Sequence, residues 1–264
     1  HSLFDEIAAA LAGVGVDIEQ ASLKDLTPLD HFHGGGMTAT EELADALSVT
    51  AEHHILDIGC GIGGPARYMA QRFGCRVTGI DLTPEFVETG RALTEWTGLN
   101  DQIELVVGSV LELPFEDASM DAAYMIHVGM NIADKAGIAR EAARVLKPGG
   151  IFAIYDVMQV GTGQMDYPAP WASSEDQSAL APPETYEAAL KSVGFEVGER
   201  VDRTAFAKQF FADLAAAQSQ ADGPPPLGLH LIMGDDTALK VRHMVQNIEG
   251  GLIAPIELHA RLPS

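Results

Sequence analysis

A glycine-rich turn is the first feature of the sequence that can do chemistry. The apolar run 54–58 reads as a strand, and Gly59, Gly61 and Gly63 follow it at alternate positions. Glycine has no Cβ, so the backbone can approach a ligand closely there, and Pro65 suits the first position of a helix. The pattern predicts a nucleotide-type ligand at a strand-to-helix turn, the alternative being tight strand-to-helix packing without a ligand.

Two carboxylates flank this turn. Asp57 precedes the glycines, and Asp81 ends the second apolar run, 24 residues further along the chain. A carboxylate at the end of the second strand can accept hydrogen bonds from both hydroxyls of a ribose. Asp57 would repel a pyrophosphate but could receive a cationic amine, directly or through water. The pair therefore points away from a nicotinamide dinucleotide and toward S-adenosylmethionine.

Four motifs in sequence order resemble those of one enzyme family. They are Ile55–Gly63, Val77–Asp81, Leu113–Phe115 and Arg144–Gly150. Over about residues 54–157 the chain resembles the class I S-adenosylmethionine-dependent methyltransferases. It looks most like the small-molecule group that includes sarcosine/dimethylglycine and sterol-type methyltransferases. The resemblance implies a Rossmann-like fold with this cofactor, which leaves as S-adenosylhomocysteine.

The resemblance also implies a role for each matching residue. The glycine turn would lie under the methionine part of the cofactor with Asp57 helping to hold it, Asp81 would bind the ribose, and Leu82 would pack on the adenine. Many members have an acidic and then an apolar residue after the third strand, where this chain has Ser109 and Val110. A serine hydroxyl can still accept a hydrogen bond from the adenine amino group. The predicted cofactor residues are Asp57, Gly59, Gly61, Gly63, Asp81, Leu82, Ser109, Val110 and Met125.

Candidates for the acceptor site follow the fourth and fifth apolar runs and occupy one N-terminal loop. His127 is the predicted catalytic residue, because an imidazole titrates near neutrality and can take a proton from an amine or hydroxyl. The alternative is that His127 supports the cofactor through a backbone group or simply fills a polar corner of the fold. The predicted acceptor-binding residues are His33, Asn131, Asp156, Tyr167 and Trp171. His31 and His33 lack a third ligand at a suitable spacing, so no metal site is predicted.

Alternating short apolar runs and helical segments predict the elements that position these residues. The pattern is typical of a doubly wound α/β fold, and we count seven strands in a mostly parallel sheet with helical cap elements. We predict one domain over 1–264. Its parts are an N-terminal helical lid at 3–50, a cofactor-binding core at 54–201, a helical cap insertion at 203–250 and a last strand at 251–262.

Composition limits the partners. The chain of 264 residues has 38 acidic and 16 basic side chains and a net charge of −22, which argues against nucleic acid and anionic membranes as partners. No apolar run reaches the length of a membrane span, and two cysteines are too few for a disulfide framework. We therefore expect a cytoplasmic protein. The sequence leaves the oligomeric state open, a homo-oligomer included.

The function predicted from these features is methyl transfer from S-adenosylmethionine to a small-molecule acceptor. Such a transfer is an in-line displacement, so alignment of the two reactants and exclusion of water can supply most of the catalysis. Two alternatives remain at this point. One is a protein that binds the cofactor without catalysis, as a sensor or partner subunit, and the other is a nicotinamide-dependent dehydrogenase.

Overall fold

The computed structural model describes residues 2–18, 21–31, 33–219 and 226–264. Its centre is one sheet in which the first five strands are parallel and the last long strand is antiparallel to its neighbour. The strand order is β3-β2-β1-β4-β5-β8-β6, with β7 also paired to β8. The strands are β1 (His54–Ile58), β2 (Arg76–Asp81), β3 (Ile103–Val107), β4 (Met120–Ile126), β5 (Leu146–Gln159), β6 (Glu196–Val197), β7 (Val201–Asp202) and β8 (Ile253–Arg261).

Helices cover both faces of this sheet, as the doubly wound pattern predicts. Alternate residues along each central strand belong to two separate apolar clusters, one packed with α3 and α4 and the other with α6 and α7. The helices are α1 (Leu3–Gly13), α2 (Leu23–Asp30), α3 (Gly36–Ala46), α4 (Gly64–Phe73), α5 (Pro84–Trp96), α6 (Lys135–Val145), α7 (Pro183–Ser192), α8 (Thr204–Ser219), α9 (His230–Met233) and α10 (Thr237–Glu249).

The mostly parallel, Rossmann-like sheet is confirmed, while its strand count differs from the expectation. The described sheet has eight strands rather than seven, because the run 195–201 is divided into two short strands that both pair with β8. The fifth strand is also longer than the run 151–155 and extends from Leu146 to Gln159. Its length lets it pair with β8 over nine residues.

The segment before the sheet is fixed to the core by a buried ion pair. Arg67 of α4 contacts the carboxylate of Asp30, the last residue of α2, and its Nε donates to Asp30 Oδ2 at 3.2 Å. The same guanidinium donates to the carbonyl of Ile62 at 2.8 Å. Both charged side chains are buried, and a Cβ at Gly64 would collide with the carbonyl of Asp30. The predicted lid segment therefore rests directly on the start of α4.

Helices α8, α9 and α10 lie between β7 and β8 in the chain, where a cap insertion is predicted. Residues 220–225 of that predicted cap, and residues 19, 20 and 32 of the predicted lid, lie outside the described residues. Val157 of β5 packs in one cluster with Met244 and Ile248 of α10 and with Ala207 of α8. A search of the described residues finds no helix that is long and apolar enough to span a membrane.

Candidate functional site

The glycine turn after β1 is held against the end of β2. The amides of Gly59 and Cys60 donate to the carbonyl of Ile80 at 2.8 and 3.0 Å, and Gly59 and Gly61 have φ values of +79° and +53°. Positive φ is a conformation that favours glycine. A Cβ on Gly59 would also collide with the side chain of Val128. The turn therefore lies in van der Waals contact with the loop that follows β4.

Asp57 lies beneath this turn as a buried carboxyl. Only 2% of the residue is exposed, and its Oδ2 has no hydrogen-bond partner among the described residues. Burial is the main reason that the pKa of this carboxyl rises to about 7; the nearby hydroxyl of Tyr124 opposes the rise and the charge of Asp81 adds to it. A buried oxygen without a partner is costly, so the position is suited to a cationic or hydrogen-donating ligand group.

Asp81 is oriented by the backbone around it. Its Oδ2 accepts from the amide of Gly61 and its Oδ1 from the amide of Thr83, both at 2.9 Å. Each carboxylate oxygen retains a lone pair for a further donor. Leu82, the next residue, is 73% exposed, which is unusual for a leucine, and it lines the cavity described below. A fixed acceptor beside an exposed apolar surface matches a ribose and its base.

The loop after β3 provides the next predicted pair. Ser109 Oγ accepts from the amide of Leu111 at 3.2 Å, while Val110 is buried in the core cluster beneath it. Both residues line the same cavity as Asp57 and Asp81. The hydroxyl is thus occupied by its own loop on one side and retains capacity for a second hydrogen bond.

His127 follows β4 and precedes Val128, whose side chain contacts the glycine turn. Its backbone is left-handed, with φ of +54°, and its amide donates to the carbonyl of Tyr155 at 2.8 Å. Its Nε2 has no hydrogen-bond partner among the described residues. Burial lowers the pKa of this imidazole to about 3, so the ring is neutral at pH 7. A neutral ring can hold a polar group in place, but it is a weak base.

His33 joins His127 in a cluster of rings. Their centroids are 5.8 Å apart, and each ring also lies against Tyr155, whose hydroxyl donates to the carbonyl of Gly34 at 2.8 Å. His33 Nε2 contacts Thr40 Oγ1 at 3.1 Å, while its Nδ1 is buried without a partner among the described residues. Burial lowers the pKa of His33 well below its usual value. The N-terminal loop thus contacts the end of β4.

One cavity of about 880 Å³ connects these groups. The glycine turn and Asp81 are at one end, and the cavity also contacts the loop after β4, the 170–171 segment and the helices after β7. Eleven predicted site residues line it: Asp57, Gly59, Gly61, Asp81, Leu82, Ser109, Val110, His127, His33, Asn131 and Trp171. The predicted cofactor residues and several predicted acceptor residues therefore share one enclosure.

Four predicted site residues do not line this cavity: Gly63, Met125, Asp156 and Tyr167. Gly63 packs against Leu105 of β3, and Met125 is wholly buried in the core because it faces away from the cavity in the alternation of β4. The hydroxyl of Tyr167 is 4.0 Å from the sulfur of Met165.

Asp156 belongs to a buried polar network behind the cavity wall. Its Oδ2 accepts from the hydroxyl of Tyr186 at 2.7 Å, and burial raises its pKa to about 7. Lys135 lies over the ring of Tyr186 and donates to the carbonyls of Gly129 and Ala179 at 2.8 and 2.7 Å. This network supports the loop after β4. Asp156 directly follows the apolar run 151–155 in the sequence, but β5 continues to Gln159, so Asp156 lies within the strand and does not reach the cavity.

Sequence reasoning predicted the helices of the cap but named none of the apolar side chains that they contribute to the cavity. Eight of the lining residues lie on the helices after β7 or just before them: Phe210, Phe211, Leu214, Leu229, Ile232, Met233, Val241 and Met244. A signal was available, since adjacent phenylalanines in a helix outside the predicted sheet need a surface to cover. Among the described residues no group of three or more histidine, cysteine or acidic side chains could hold a metal ion.

Comparison with known proteins identifies the core. Residues 56–154 match the family model described as a methyltransferase domain. A methyltransferase named GfsG from Streptomyces halstedii is 35% identical over 138 residues, which are 52% of this chain and 50% of that protein. A sterol 24-C-methyltransferase from Eremothecium gossypii is 39% identical over 114 residues, 43% of this chain and 31% of that protein. The chain thus spans half or less of these relatives' lengths.

Solved structures show the same fold. A geranyl diphosphate methyltransferase in complex with SAM superposes with a TM-score of 0.69 at 22% identity, covering 86% of this chain and 85% of that one. The [4+2]-cyclase SpnF gives a TM-score of 0.66 at 24% identity, covering 85% and 80%. The second example shows that the fold alone does not specify the reaction. The sequence match is more specific: residues 56–154 of this protein are similar to a methyltransferase domain.

Proposed function

We propose that this protein transfers a methyl group from S-adenosylmethionine to a small-molecule acceptor enclosed in the cavity. The observation that carries this proposal is the unpartnered Asp57 Oδ2 beneath the glycine turn, within the same enclosure as the fixed carboxylate of Asp81. Asp57 suits the amine of the cofactor and Asp81 suits its ribose, so the two carboxylates can bind one cofactor molecule. The matched relatives are themselves named methyltransferases.

The cofactor, when bound, supplies an electrophilic methyl group on a sulfonium. Asp57 receives the cofactor's amine, and the amine's positive charge favours the ionised form of a carboxyl whose pKa is about 7 in the free protein. Asp81 accepts hydrogen bonds from the ribose, and Leu82 covers the adenine. Ser109 lies within the same loop region and accepts from the adenine amino group.

His127 and the enclosing helices act on the acceptor. Its ring lines the cavity near Gly34, and the next residue, Val128, contacts the glycine turn where the methionine part of the cofactor would be held. The imidazole holds the acceptor's polar group through a hydrogen bond. Because burial lowers its pKa to about 3, this imidazole contributes orientation more than proton abstraction. Alignment and exclusion of water by the apolar walls then supply most of the rate enhancement.

Calorimetric titration with S-adenosylmethionine and S-adenosylhomocysteine tests this proposal. We expect both ligands to bind. The proposal is refuted if neither S-adenosylmethionine nor S-adenosylhomocysteine binds at millimolar concentration. NADH serves as the contrasting ligand, and its fluorescence should not change on addition of the protein. A change in NADH fluorescence would favour the nicotinamide-dependent alternative.

The alternative of a protein that binds the cofactor without transferring the methyl group is separated from this proposal by a turnover assay. Tight binding of S-adenosylmethionine with no production of S-adenosylhomocysteine across a broad acceptor panel would support that candidate. For the location we propose a reducing compartment, the cytoplasm, because Cys60 and Cys75 are free and buried. Cell fractionation of the source organism tests this.

A further inference from the structure

The acceptor end of the cavity differs chemically from the cofactor end. Its walls come from α8, α9 and α10 and from the 170–171 segment, and most of the side chains that line it are aromatic or aliphatic. A volume of about 880 Å³ is near the upper limit for pockets that bury a drug-sized ligand, and the cofactor takes only part of it. The remaining space is suited to a bulky, largely apolar molecule.

The charges around the cavity do not favour an anionic acceptor. Among the lining residues that the structure describes, Lys240 is the one with a cationic side chain other than histidine. Its Nζ is already engaged by Asp236 and by the carbonyl of Met233, both at 2.8 Å. Two further acidic residues line the cavity: Asp30, which is paired with Arg67, and Asp134, which accepts from the amide of Gly137 at 2.7 Å. A phosphate or diphosphate would find no free cation here and would face the carboxylate of Asp134.

Polar atoms without partners are concentrated in this cavity. In the described part of the chain four buried side-chain atoms have no hydrogen-bond partner, and three of them belong to lining residues: Asp57 Oδ2, His33 Nδ1 and His127 Nε2. Asp57 lies at the cofactor end. The two imidazoles therefore form the polar element that remains for the acceptor, and each unsatisfied nitrogen is a cost that a ligand hydrogen bond would relieve.

The hydrogen bonds around His33 favour a neutral partner. Thr40 Oγ1 contacts His33 Nε2 at 3.1 Å and His31 Nδ1 at 3.0 Å, and its one proton can serve only one of them. The other imidazole must donate to Thr40, so either ring tautomer of His33 is compatible with the chain of contacts. Its Nδ1 can then accept from or donate to a ligand group. A hydroxyl, which both donates and accepts, matches either tautomer.

We propose that the acceptor is a bulky, largely apolar molecule that carries a neutral hydroxyl, and that His33 and His127 bind this hydroxyl at the end of β4. This proposal rests on the function proposed above and specifies its acceptor. Gly34 stands between the two parts of the site, since a Cβ there would meet His127 Cε1 at 3.5 Å and Met244 Cε at 3.7 Å. The polar group is thus held where the N-terminal loop, the end of β4 and α10 converge.

A matched set of probes separates the hydroxyl from the skeleton. Farnesol, farnesene and farnesyl diphosphate share one apolar chain and differ in its end group. We expect farnesol to bind the protein loaded with S-adenosylhomocysteine at least tenfold more tightly than either of the other two, measured by calorimetry. Equal or tighter binding of the diphosphate, or no binding of farnesol, would overturn the proposal.

Two variants test the histidines while sparing the fold. His33→Phe keeps a ring in the cluster without its nitrogens, and His127→Gly removes the imidazole at a backbone of positive φ without strain. Each should remove most of the tenfold preference for farnesol over farnesene, with the affinity for S-adenosylhomocysteine changed less than threefold. The control is His53→Ala. His53 lies before β1 at the opposite edge of the sheet, and this variant should keep the preference for farnesol over farnesene.

The outcomes separate this proposal from the function it rests on. An unchanged preference for farnesol in both histidine variants would overturn the hydroxyl site even when the cofactor binds normally. Failure of both S-adenosylmethionine and S-adenosylhomocysteine to bind would instead overturn the methyltransferase proposal. In that case the same three probes are titrated into the free protein, where the preference for farnesol again decides the acceptor proposal.

Discussion

The two ends of the cavity are built in different ways. The cofactor end is formed by residues 57–110 at the ends of β1, β2 and β3, where backbone hydrogen bonds fix Asp81 and the glycine turn. The acceptor end draws on residues 33–34, 126–134, 170–171 and 210–244, which are far apart in the sequence. In the proposed assignment the cofactor is bound by polar groups at the strand ends, whereas the acceptor meets mainly apolar helix walls and the two imidazoles of His33 and His127.

This difference has a physical basis. Parallel strands place their carboxyl ends along one edge, so polar groups at those ends converge without long connections. An apolar wall needs no exact hydrogen-bond geometry and can be supplied by any helix with a suitable face. We therefore expect changes at the cofactor end to alter cofactor affinity, and changes at the acceptor end to alter acceptor binding alone.

The largest expected effect is on the free energy of unfolding, when the ion pair that joins the lid segment to the core is broken. Arg67→Ala leaves Asp30 buried without its partner, so the free energy of unfolding should fall by about 3–5 kcal/mol in urea denaturation. Arg72→Ala removes a partly exposed pair with Asp45 and should cost about 0–1 kcal/mol. Similar losses for the two variants would show that the buried pair is not the attachment of the lid segment.

The next effect concerns the buried carboxyl of Asp57. Its pKa of about 7 in the folded protein lies above the value of a carboxyl in the unfolded chain, so the folded state holds a proton that the unfolded state has lost. Stability should therefore fall as pH rises from about 4 to 7. Asp57→Asn should raise the free energy of unfolding at pH 8 by about 2 kcal/mol and weaken binding of S-adenosylmethionine.

Asp156→Asn is the matched control for that variant. Asp156 also has a pKa raised to about 7 by burial, but it lies behind the cavity wall. Its substitution should reduce the pH dependence of stability and leave the affinity for S-adenosylmethionine within threefold of the original. A loss of cofactor affinity equal to that of Asp57→Asn would place Asp156 in the cofactor site.

Asp81 gives a smaller effect, confined to the cofactor end. Asp81→Ala removes the acceptor proposed for the ribose and should weaken binding of S-adenosylmethionine at least tenfold, about 1.4 kcal/mol. The affinity for farnesol in the free protein should not change. Calorimetry measures both, and an unchanged cofactor affinity would remove Asp81 from the site.

Substitution of Leu214 should have the smallest effect, and it should change the affinity for farnesol and not the affinity for the cofactor. Leu214→Ala trims the apolar wall on α8 and should weaken farnesol binding about fivefold, roughly 1 kcal/mol, because less apolar surface is buried. Its affinity for S-adenosylhomocysteine should not change. Parallel losses in both affinities would show that the two ends are not independent.

The same contrast explains what the sequence could predict. The glycine turn, Asp57 and Asp81 are recognisable because a strand, its turn and the next strand end are local patterns with fixed spacing. The Asp30–Arg67 pair and the division of the run 195–201 depend on distant contacts with α4 and β8. Asp156 follows an apolar run in the sequence as strand-end residues do, but β5 continues to Gln159 and the hydroxyl of Tyr186 binds the carboxylate away from the cavity.

The residues of the acceptor walls were missed for a related reason. Helical periodicity predicts that α8 and α10 exist and form a cap, but it does not say which of their apolar side chains line the cavity. The packing of α10 on Val157 and β8 decides that, and it depends on the whole chain. Trp171 lines the cavity and Tyr167 does not. No local feature of the sequence distinguishes these two aromatic residues, which both follow the fifth strand.

The left-handed backbone of His127 limits how this position can change during evolution. At φ of +54° glycine, asparagine and aspartate are tolerated best, while β-branched residues are strained. Mutations that keep the fold therefore replace the imidazole with another small polar group or remove the side chain altogether. Diversification toward new acceptors should then proceed through the helical walls, with position 127 drawn from a short list of residue types.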